Sequence, residues 1–461
     1  MTNETICAIS TAPGVGGIAV IRVSGKEAIP LCDQIFHPRK AGKSLALQPA
    51  YSLTYGTIVE KGEAVDDVMM ALFRAPHSFT GEDTVEITCH GSVYIQQRIL
   101  QLLVATGCRL AKPGEFTQRA FMNGKMDLSQ AEAVADLIAS TSAGQHRLAL
   151  SQMRGGFSQE LKELRAKLLH ITSLMELELD FADHEELEFA DRSELKELAV
   201  QIEQVISHLV HSFKVGNAIK NGIPVAIIGE TNAGKSTLLN ALLNEEKAIV
   251  SDIHGTTRDV IEDTMYIHGL QFRFIDTAGI RDTHDTIENL GIERTFQKLE
   301  QADIVLWVID LSEASQQITQ LSGKILPLCQ DKQLILVLNK SDMAENIPID
   351  LSGFPKQTKT IPISAKQKQG INELQSMLVE SAQIPALSQN DVVVSNVRHY
   401  EALSHALDAI HRVQDGLNND LSGDFISQDL RECIFHLSDI VGDVTTDEVL
   451  GNIFKHFCIG K

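Results

Sequence analysis

Basic residues are scarce in this chain of 461 residues, because 40 Lys and Arg stand against 61 Asp and Glu and leave a formal net charge of −21. That balance excludes a generally basic surface for nucleic acid, so any action on RNA needs a local basic patch or a partner that carries most of the contact. A run of about 20 apolar residues, the length of a membrane-spanning helix, is also missing. The first residues lack the basic segment and apolar stretch of a secretory signal, and we expect a cytoplasmic protein without membrane contact.

Cysteine is sparse as well. The seven cysteines are scattered, odd in number and form no Cys-x-x-Cys pair, which argues against a disulfide framework and against a structural zinc site. We expect most of them to be small buried residues. Cys458 differs because it lies in a glycine-containing tail, where it is either an unreactive free thiol or a reactive residue.

The pattern of apolar residues changes along the chain. Up to about residue 120, short β-like runs such as Ile18–Val23 alternate with Gly and Pro, which is typical of an α+β domain. Residues from about 125 to 215 carry apolar side chains at helical spacings of three and four, as in Leu161, Leu164 and Leu168. From about 222 strands alternate with helices, which indicates a parallel sheet, and helical spacing returns after about 385. We expect the helices on both sides of this insertion to pack together.

A phosphate-binding loop follows the strand-like run Pro224–Ile228. Residues 229–236, GETNAGKS, match the pattern G-x-x-x-x-G-K-[ST], and a helix-like run begins at Thr237. Backbone N–H groups of such a loop and of the helix N-terminus bind phosphates. In this pattern Lys235 reaches the β and γ phosphates and Ser236 ligates Mg²⁺.

Three further motifs complete a GTP site, each after a strand-like run. In DTAG, residues 276–279, the Asp can hold Mg²⁺ through water and the Gly N–H can contact the γ-phosphate. In NKSD, residues 339–342, the Asp342 carboxylate can accept hydrogen bonds from guanine N1–H and its 2-amino group, which adenine lacks. SAK, residues 364–366, would close over the base. The four motifs together predict a GTP-hydrolysing enzyme, and NKSD disfavours an ATPase.

Hydrolysis needs a positioned water. Ras-like proteins use a Gln just after the DTAG-type motif, where this chain has Ile280. Glu288 is one candidate for that role, and an exposed carboxylate at a helix N-terminus is the other interpretation of the same residue. The segment 251–259 is the expected switch, and its hydroxyl and carbonyl oxygens could also hold a monovalent cation in place of an arginine finger.

The whole chain resembles the MnmE (TrmE) family of tRNA-modification GTPases. The resemblance is carried by five segments, which are TAPGVGGIAVIR at 11–22, SFTGED at 78–83, KPGEFT at 112–117, GTTRD at 255–259 and the tail FCIGK at 457–461. It implies a cytoplasmic homodimer that works with the flavoprotein MnmG. Together they would add an aminomethyl or carboxymethylaminomethyl group to C5 of the wobble uridine of certain tRNAs. The one-carbon donor would be 5-formyltetrahydrofolate or a related tetrahydrofolate.

The resemblance also implies a role for individual residues. K⁺ would be held by Asn232, Ser251, Ile253 and Thr256 and would complete the site when two G domains dimerise, and Mg²⁺ would be held by Ser236 and Thr257. Glu288 would orient the water, and Cys458 would be the reactive cysteine of the tail. Folate would be bound by Arg22, Glu86, Lys125 and Lys461. The predicted GTP-binding residues are Asn232, Ala233, Gly234, Lys235, Ser236, Thr237, Ser251, Asp252, Ile253, His254, Gly255, Thr256, Thr257, Asp276, Thr277, Ala278, Gly279, Asn339, Lys340, Asp342, Ser364, Ala365 and Lys366.

We therefore predict a multidomain α/β protein. Its parts are an N-terminal α+β folate-binding and dimerisation domain over 1–122, an all-α helical domain in two pieces over 123–221 and 386–461, and an inserted Ras-like P-loop α/β GTPase domain over 222–385. The alternative function is a regulatory GTPase switch of the Era type in ribosome assembly. The G motifs do not separate the two, whereas the FCIGK tail and the Arg22, Glu86 and Lys125 set favour the tRNA-modifying enzyme.

Overall fold

The computed structural model describes residues 4–40, 42, 44–180, 192–244, 263–275, 299–343, 353–385, 391–444, 446–455 and 457–460. The described residues form two compact units. The first takes residues from Met1–Ala139, Ala149–Gln204 and Ala402–Lys461, and the second takes residues from Ser140–Leu148 and Val205–Glu401. None of the helices within these described ranges combines the length and the apolar composition that crossing a membrane requires.

A seven-stranded sheet forms in the described part of the first unit. Its strands are β1 (Ile6–Ile9), β2 (Gly16–Ser24), β3 (Phe36–Pro38), β4 (Ser52–Glu60), β5 (Glu63–Phe73), β6 (Thr84–Gly91) and β7 (Arg109–Leu110). The order is β3-β4-β5-β6-β2-β1-β7. Neighbours are antiparallel except β1 and β7, which are parallel.

Thirteen helices are described along the chain. They are α1 (Ala28–Ile35), α2 (Val93–Thr106), α3 (Glu115–Met122), α4 (Leu128–Ala139), α5 (Ala143–Met153), α6 (Gly156–Asp180), α7 (Arg192–Asn221), α8 (Lys235–Asn244), α9 (Ala314–Ile325), α10 (Ile371–Ala382), α11 (Val397–Asn418), α12 (Gly423–Val441) and α13 (Asp447–Lys455).

The two faces of the first sheet differ in what covers them. Ile21, Val23, Val85 and Ile87 lie on one face and form a core with α1 and α2. Side chains alternate along a strand, so Arg22 and Glu86 belong to the opposite face. That face carries a smaller apolar cluster that includes Phe116 of α3. The predicted folate residues of β2 and β6 therefore lie on the face away from the main core.

Helices from before and after the second unit's sheet pack together within the first unit. The apolar side chains of α6 at Leu161, Leu164, Leu168, Ile171 and Met175 are all buried, which confirms the predicted stripe. Helix α6 packs along α12, and the guanidinium of Arg431 lies 2.7 Å from the Glu176 carboxylate. The expected contact between helices on the two sides of the insertion is therefore present.

The sheet of the second unit is mostly parallel. Its described strands are β8 (Ile223–Ile228), β9 (Asp263–Ile267), β10 (Leu270–Phe274), β11 (Ile304–Asp310), β12 (Gln333–Asn339) and β13 (Lys359–Pro362). The order is β13-β12-β11-β8-β10-β9, and β9 alone among these strands is antiparallel to its neighbour.

Both faces of this second sheet are buried. Alternate residues of β11 enter two separate cores, with Leu306 in one and Trp307 in the other. Helices α8 and α10 contribute to the first of these cores and α9 to the second. This is a doubly wound α/β arrangement, in which ligands bind at the carboxyl ends of the strands. The predicted multidomain α/β fold class is confirmed, while the domain boundaries at 122, 221 and 385 stay predictions.

Candidate functional site

The phosphate-binding loop connects β8 to α8, as its sequence pattern predicts. Gly229 and Gly234 have φ of +146° and +95°, a region that favours glycine. A Cβ on Gly229 would lie 2.1 Å from the carbonyl oxygen of Val308, and one on Gly234 would lie 2.2 Å from Nδ2 of Asn339. Both glycines of the motif are therefore required by close contact as well as by backbone conformation.

Lys235 lies at the start of α8 and turns back over the loop. Its Nζ donates to the carbonyl oxygens of Gly229 at 2.8 Å and of Glu230 at 2.7 Å. Ser236 follows in the first turn of the helix and is half-buried. The positive end of the α8 dipole and the Lys235 ammonium therefore both lie at the phosphate-binding loop, and both favour the binding of an anion at this loop.

Asn339, at the end of β12, connects three of the predicted motifs. Its Nδ2 donates to the carbonyl oxygen of Ala233 at 2.8 Å, and its Oδ1 accepts from the backbone N–H of Ala365 at 3.0 Å. The side chain is buried, so both bonds are shielded from water and matter more than surface bonds would. One amide thus fixes the phosphate loop and the SAK loop to the strand that carries NKSD.

The neighbouring Lys340 is held by a residue that the sequence interpretation missed. Lys340 has φ of +63°, and its Nζ donates to Oδ2 of Asp310 at 2.5 Å. Burial raises the pKa of Asp310, but hydrogen bonds from Lys340 and Ser312 lower it, and the pKa lies below the ordinary carboxyl value. The sequence does place Asp310 at the end of the buried strand β11, next to β12, and this position was the signal that could have identified it.

The base-recognition residues also lie at this edge of the sheet. Oδ2 of Asp342 accepts from Nε2 of Gln367 at 3.2 Å. Ser364 is fully buried, its Oγ accepts from the backbone N–H of Gln367 at 3.3 Å, and Lys366 is exposed. Gln367 is a second residue that the motifs did not indicate, and it connects the SAK loop to the guanine-reading carboxylate.

Several predicted site residues lie outside the described residues. They are Ser251, Asp252, Ile253, His254, Gly255, Thr256, Thr257, Asp276, Thr277, Ala278, Gly279, Glu288 and Lys461.

Arg22 and Glu86, on neighbouring strands of the first sheet, form an ion pair. Cα registration places them opposite each other, and both Nε and Nη2 of Arg22 approach Oε1 of Glu86, at 2.9 Å and 2.8 Å. The Arg22 guanidinium lies over the rings of Phe79 and Phe116 at 5.3 Å and 5.6 Å, within cation–π range. Because both bonds end on Oε1, the other carboxylate oxygen of Glu86 can accept a ligand's N–H.

Lys125 lies beside the SFTGED loop. Its Nζ donates to the carbonyl oxygen of Pro76 at 2.9 Å, and a Cβ placed on Gly81 would lie 3.4 Å from its methylene carbons. Phe79 of the same loop contacts Arg22, as described above. One loop therefore connects the three described residues of the predicted folate set.

The C-terminal tail packs on the first sheet's unit through backbone contacts. Oγ of Ser10 donates to the carbonyl oxygen of Gly460 at 3.1 Å. The backbone N–H of Gly114 donates to the carbonyl oxygen of Cys458 at 3.3 Å. A Cβ on Gly460 would lie only 2.2 Å from the carbonyl oxygen of Ile9. Ser10 directly follows β1, in which Ala8 is the Cα partner of Arg22. The tail therefore ends near the strands that carry the Arg22–Glu86 pair.

Cys458 is exposed, and the other six cysteines are buried, as expected from the sequence. Burial raises the pKa of Cys89 and of Cys329 to about 11 and that of Cys433 to about 12. Thiols react as thiolates, so these buried cysteines are inert near neutral pH. Among the seven, accessibility singles out Cys458.

Ion pairs join the SFTGED loop to the KPGEFT segment. Arg119 of α3 pairs with Glu82 of the SFTGED loop at 3.1 Å and with Glu115 of the KPGEFT segment at 3.1 Å. Burial raises the pKa of Glu115, but Arg109, the Lys112 N–H and Arg119 lower it, and it lies below the ordinary value. The acidic residues of these two motifs thus serve the fold.

A phosphate loop with its lysine, joined through Asn339 to the NKSD and SAK motifs at the carboxyl edge of a parallel sheet, defines a P-loop GTPase. A family model described as the MnmE helical domain matches residues 128–458, and one described as the GTP-binding protein TrmE N-terminus matches residues 5–125. The chain belongs to the MnmE family, which confirms the resemblance found in its sequence.

Relatives match over the full length. A protein of Parabacteroides distasonis named tRNA modification GTPase MnmE is 71% identical over 460 residues, covering 99% of this chain and 100% of the relative. One of the same name from Bacteroides thetaiotaomicron is 68% identical over 467 residues, covering 100% of both. A solved structure of Era with MgGDPNP and a segment of 16S ribosomal RNA is 30% identical and covers 40% of this chain and 66% of that one. Its TM-score is 0.27.

Proposed function

We propose that this GTPase modifies tRNA, as the names of its relatives state for those proteins. Acting with the flavoprotein MnmG, it adds a carboxymethylaminomethyl or aminomethyl group to C5 of the wobble uridine of certain tRNAs. A tetrahydrofolate derivative supplies the one-carbon unit, and the cytoplasm, where tRNA is available, is the compartment. The observation that carries the proposal is the 71% identity over 99% of the chain with a tRNA modification GTPase. The alternative of an Era-like regulatory switch is not favoured, because the match extends through both flanks of the G motifs.

In the proposed GTP site, each motif has one task. Asp342 reads guanine, the loop N–H groups and Lys235 bind phosphates, and Ser236 and Thr257 hold Mg²⁺, which offsets the charge that develops on the phosphates. The Ser236 hydroxyl fits this role because Mg²⁺ prefers oxygen ligands beside phosphates and the residue lies in the first turn of α8. Glu288 orients the attacking water.

The proposed potassium ion takes the place of an arginine finger. Asn232 and the switch residues Ser251, Ile253 and Thr256 hold it when the G domains of two protomers dimerise. Asn232 suits such a shared site because it is exposed. Its φ of +67° lies in the left-handed region, which asparagine adopts more readily than most residues. We expect GTP turnover to be faster in KCl than in NaCl at equal ionic strength, and equal rates would remove the ion from the mechanism.

The proposed folate site lies on the open face of the first sheet. The carboxylate of Glu86 accepts N–H donors of the pterin, and Arg22, Lys125 and Lys461 bind the glutamate tail. The described residues fit such a ligand. Both contacts from Arg22 end on Oε1 of Glu86, which leaves its second oxygen for a ligand, and the half-buried ring of Phe79 lies beside the pair. Cys458 supplies the reactive thiol from the docked tail.

Nucleoside analysis of tRNA tests this proposal. Cells that lack the gene should lose the modified wobble uridine, and a plasmid that carries the wild-type chain should restore it. Mass spectrometry of digested tRNA measures both. A deletion strain with unchanged wobble uridines would contradict the proposed function and return the regulatory switch to consideration.

A further inference from the structure

A cavity of about 800 Å³ lies within the first unit, away from the residues assigned so far except Lys125. Its walls are the turn between α3 and α4, one face of α6 and the end of α12. That volume is within the range of about 300–1,000 Å³ that small-ligand sites occupy. The cavity can therefore hold a group the size of one nucleotide.

The α6 wall presents a cationic face. Lys162, Arg165, Ala166 and Leu169 line the cavity at positions i, i+3, i+4 and i+7, which lie on one side of a helix. Lys162 and Arg165 thus place two cations at one opening, next to Lys125, whose Nζ donates to the carbonyl oxygen of Pro76. In a chain with a net charge of −21, such a cluster is the local basic patch that contact with RNA requires.

These cations are not neutralised by the protein. Most arginines of this unit form ion pairs, as Arg98 does with Glu60 and Arg412 does with Asp429. In the described part of the chain, Arg165 instead has a hydrogen bond from Nε to Oγ of Ser438 at 3.3 Å, and neither it nor Lys162 has a carboxylate partner. An external anion would therefore not have to compete with an internal one.

The other residues that line the cavity indicate that its ligand has features besides a negative charge. Phe121, Met126 and Leu169 give the cavity accessible apolar surface, and two carboxylates, Asp127 and Asp443, also line it. Oδ1 of Asp127 accepts from the backbone N–H of Gln130 at 3.0 Å in the first turn of α4, whereas its Oδ2 is buried and has no hydrogen-bond partner among the described residues. Asp443 is exposed and can accept N–H donors. A ligand with a planar apolar body, N–H donors and a phosphate satisfies all three features.

We propose that this cavity binds one unstacked nucleotide of a single-stranded RNA segment, with its base against the apolar wall and its flanking phosphates on Lys162 and Arg165. Single-stranded RNA is recognised by splayed-out bases held on side chains together with phosphate contacts. The site rests on the proposed function, since tRNA is the RNA that the enzyme would meet. It adds a docking position outside the folate-binding face.

Charge reversal on α6 tests the site in the full-length protein. Binding of an unmodified tRNA transcript is measured by fluorescence anisotropy over a series of salt concentrations for the wild type, Lys162→Glu and Lys167→Glu. Lys167 is the matched control, because it is an exposed lysine of the same helix that does not line the cavity. We expect Lys162→Glu to weaken binding about tenfold and to lower the salt slope by about one, and Lys167→Glu to stay within about twofold.

A second variant tests the role of the cavity's volume separately from the role of its positive charge. Ala166→Trp fills the opening without changing charge, and it should weaken tRNA binding while GTP hydrolysis and the melting temperature stay as in the wild type. Equal effects of the two lysine variants, or unchanged binding by Lys162→Glu and Ala166→Trp, would overturn the site. So would a loss of tetrahydrofolate binding by Lys162→Glu with tRNA binding intact, since the cavity would then hold the small molecule. A wild type without affinity for tRNA would overturn this site, whereas the proposed function would fall only if the wobble uridines of a deletion strain were unchanged.

Discussion

The two sites of this protein are held together by different means. At the GTP site, backbone groups of one contiguous loop form the phosphate-binding surface, and a single side chain, Asn339, fixes that loop to its neighbours. On the open face of the first sheet, the predicted ligand contacts are side chains from β2, β6 and the segment after α3, and a C-terminal tail docks next to them. The first arrangement tolerates few backbone changes, whereas the second depends on side chains and on the position of the tail.

The largest expected effect separates the two sites completely. Cys458→Ser removes the accessible thiol but no contact of the GTP site, so we expect modified wobble uridine to disappear while the rate of GTP hydrolysis stays unchanged. Nucleoside mass spectrometry and phosphate release measure the two. Ile459→Ala, which changes an exposed side chain of the same tail, is the control and should retain both activities. Normal modification in Cys458→Ser would remove this thiol from the reaction.

The converse change should affect the nucleotide site. Gly234→Ala places a Cβ 2.2 Å from Nδ2 of Asn339 at φ of +95°, so the loop must shift away from the amide that fixes it. We expect GTP hydrolysis to fall about 100-fold, the cost of a displacement of about 1 Å at a reacting group. Gly323→Ala, on α9 with open space around it, is the matched control. Comparable turnover in both variants would mean that the contact with Asn339 is not needed.

A smaller effect should follow from moving the tail rather than its thiol. Gly460→Ala brings a Cβ to 2.2 Å from the carbonyl oxygen of Ile9, so the tail must shift from the sheet. We expect tRNA modification to fall several-fold, the alkylation rate of Cys458 by iodoacetamide to change, and GTP hydrolysis to stay constant. Gly451→Ala, in α13 with no neighbour within 4 Å, controls for the substitution itself. An unchanged alkylation rate in Gly460→Ala would show that this glycine does not set the position of the tail.

The smallest functional effect is expected from the supporting charges. Glu115→Gln removes a carboxylate that is 9% exposed, while Arg109 and Arg119 keep Glu4 and Glu82 as partners. We expect the free energy of unfolding to fall by about 2 kcal/mol, the contribution of hydrogen bonds to a charged group. Because the pKa of Glu115 lies below its ordinary value of 4.5, its contribution is present above that value and is lost as pH falls through the folded-state pKa. Urea unfolding at pH 7 and at progressively lower pH measures this. A difference between wild type and variant that does not shrink in acid would contradict the assignment.

The same contrast explains what the sequence could predict. Loop glycines, Lys235 and NKSD were identifiable because the contacts to phosphate and guanine are made within short contiguous segments whose spacing is set by backbone geometry. Asp310 and Gln367 were not, since their roles depend on strands and loops that meet only in the folded sheet. Arg22, Glu86 and Lys125 came from family resemblance alone, because 64 residues separate the first two and no spacing rule joins them. The cavity beside α6 had no sequence signal, as its lining comes from three distant segments.

The position of Asn339 also has a consequence for synthesis of the chain. The side-chain amide of Asn339 bonds to Ala233, 106 residues earlier in the sequence, and to Ala365, 26 residues later. A nascent chain that has emerged from the ribosome only as far as β12 can close the first of these bonds but not the second. The contact between β12 and the SAK segment is therefore completed only after β13 and Ala365 have left the exit tunnel.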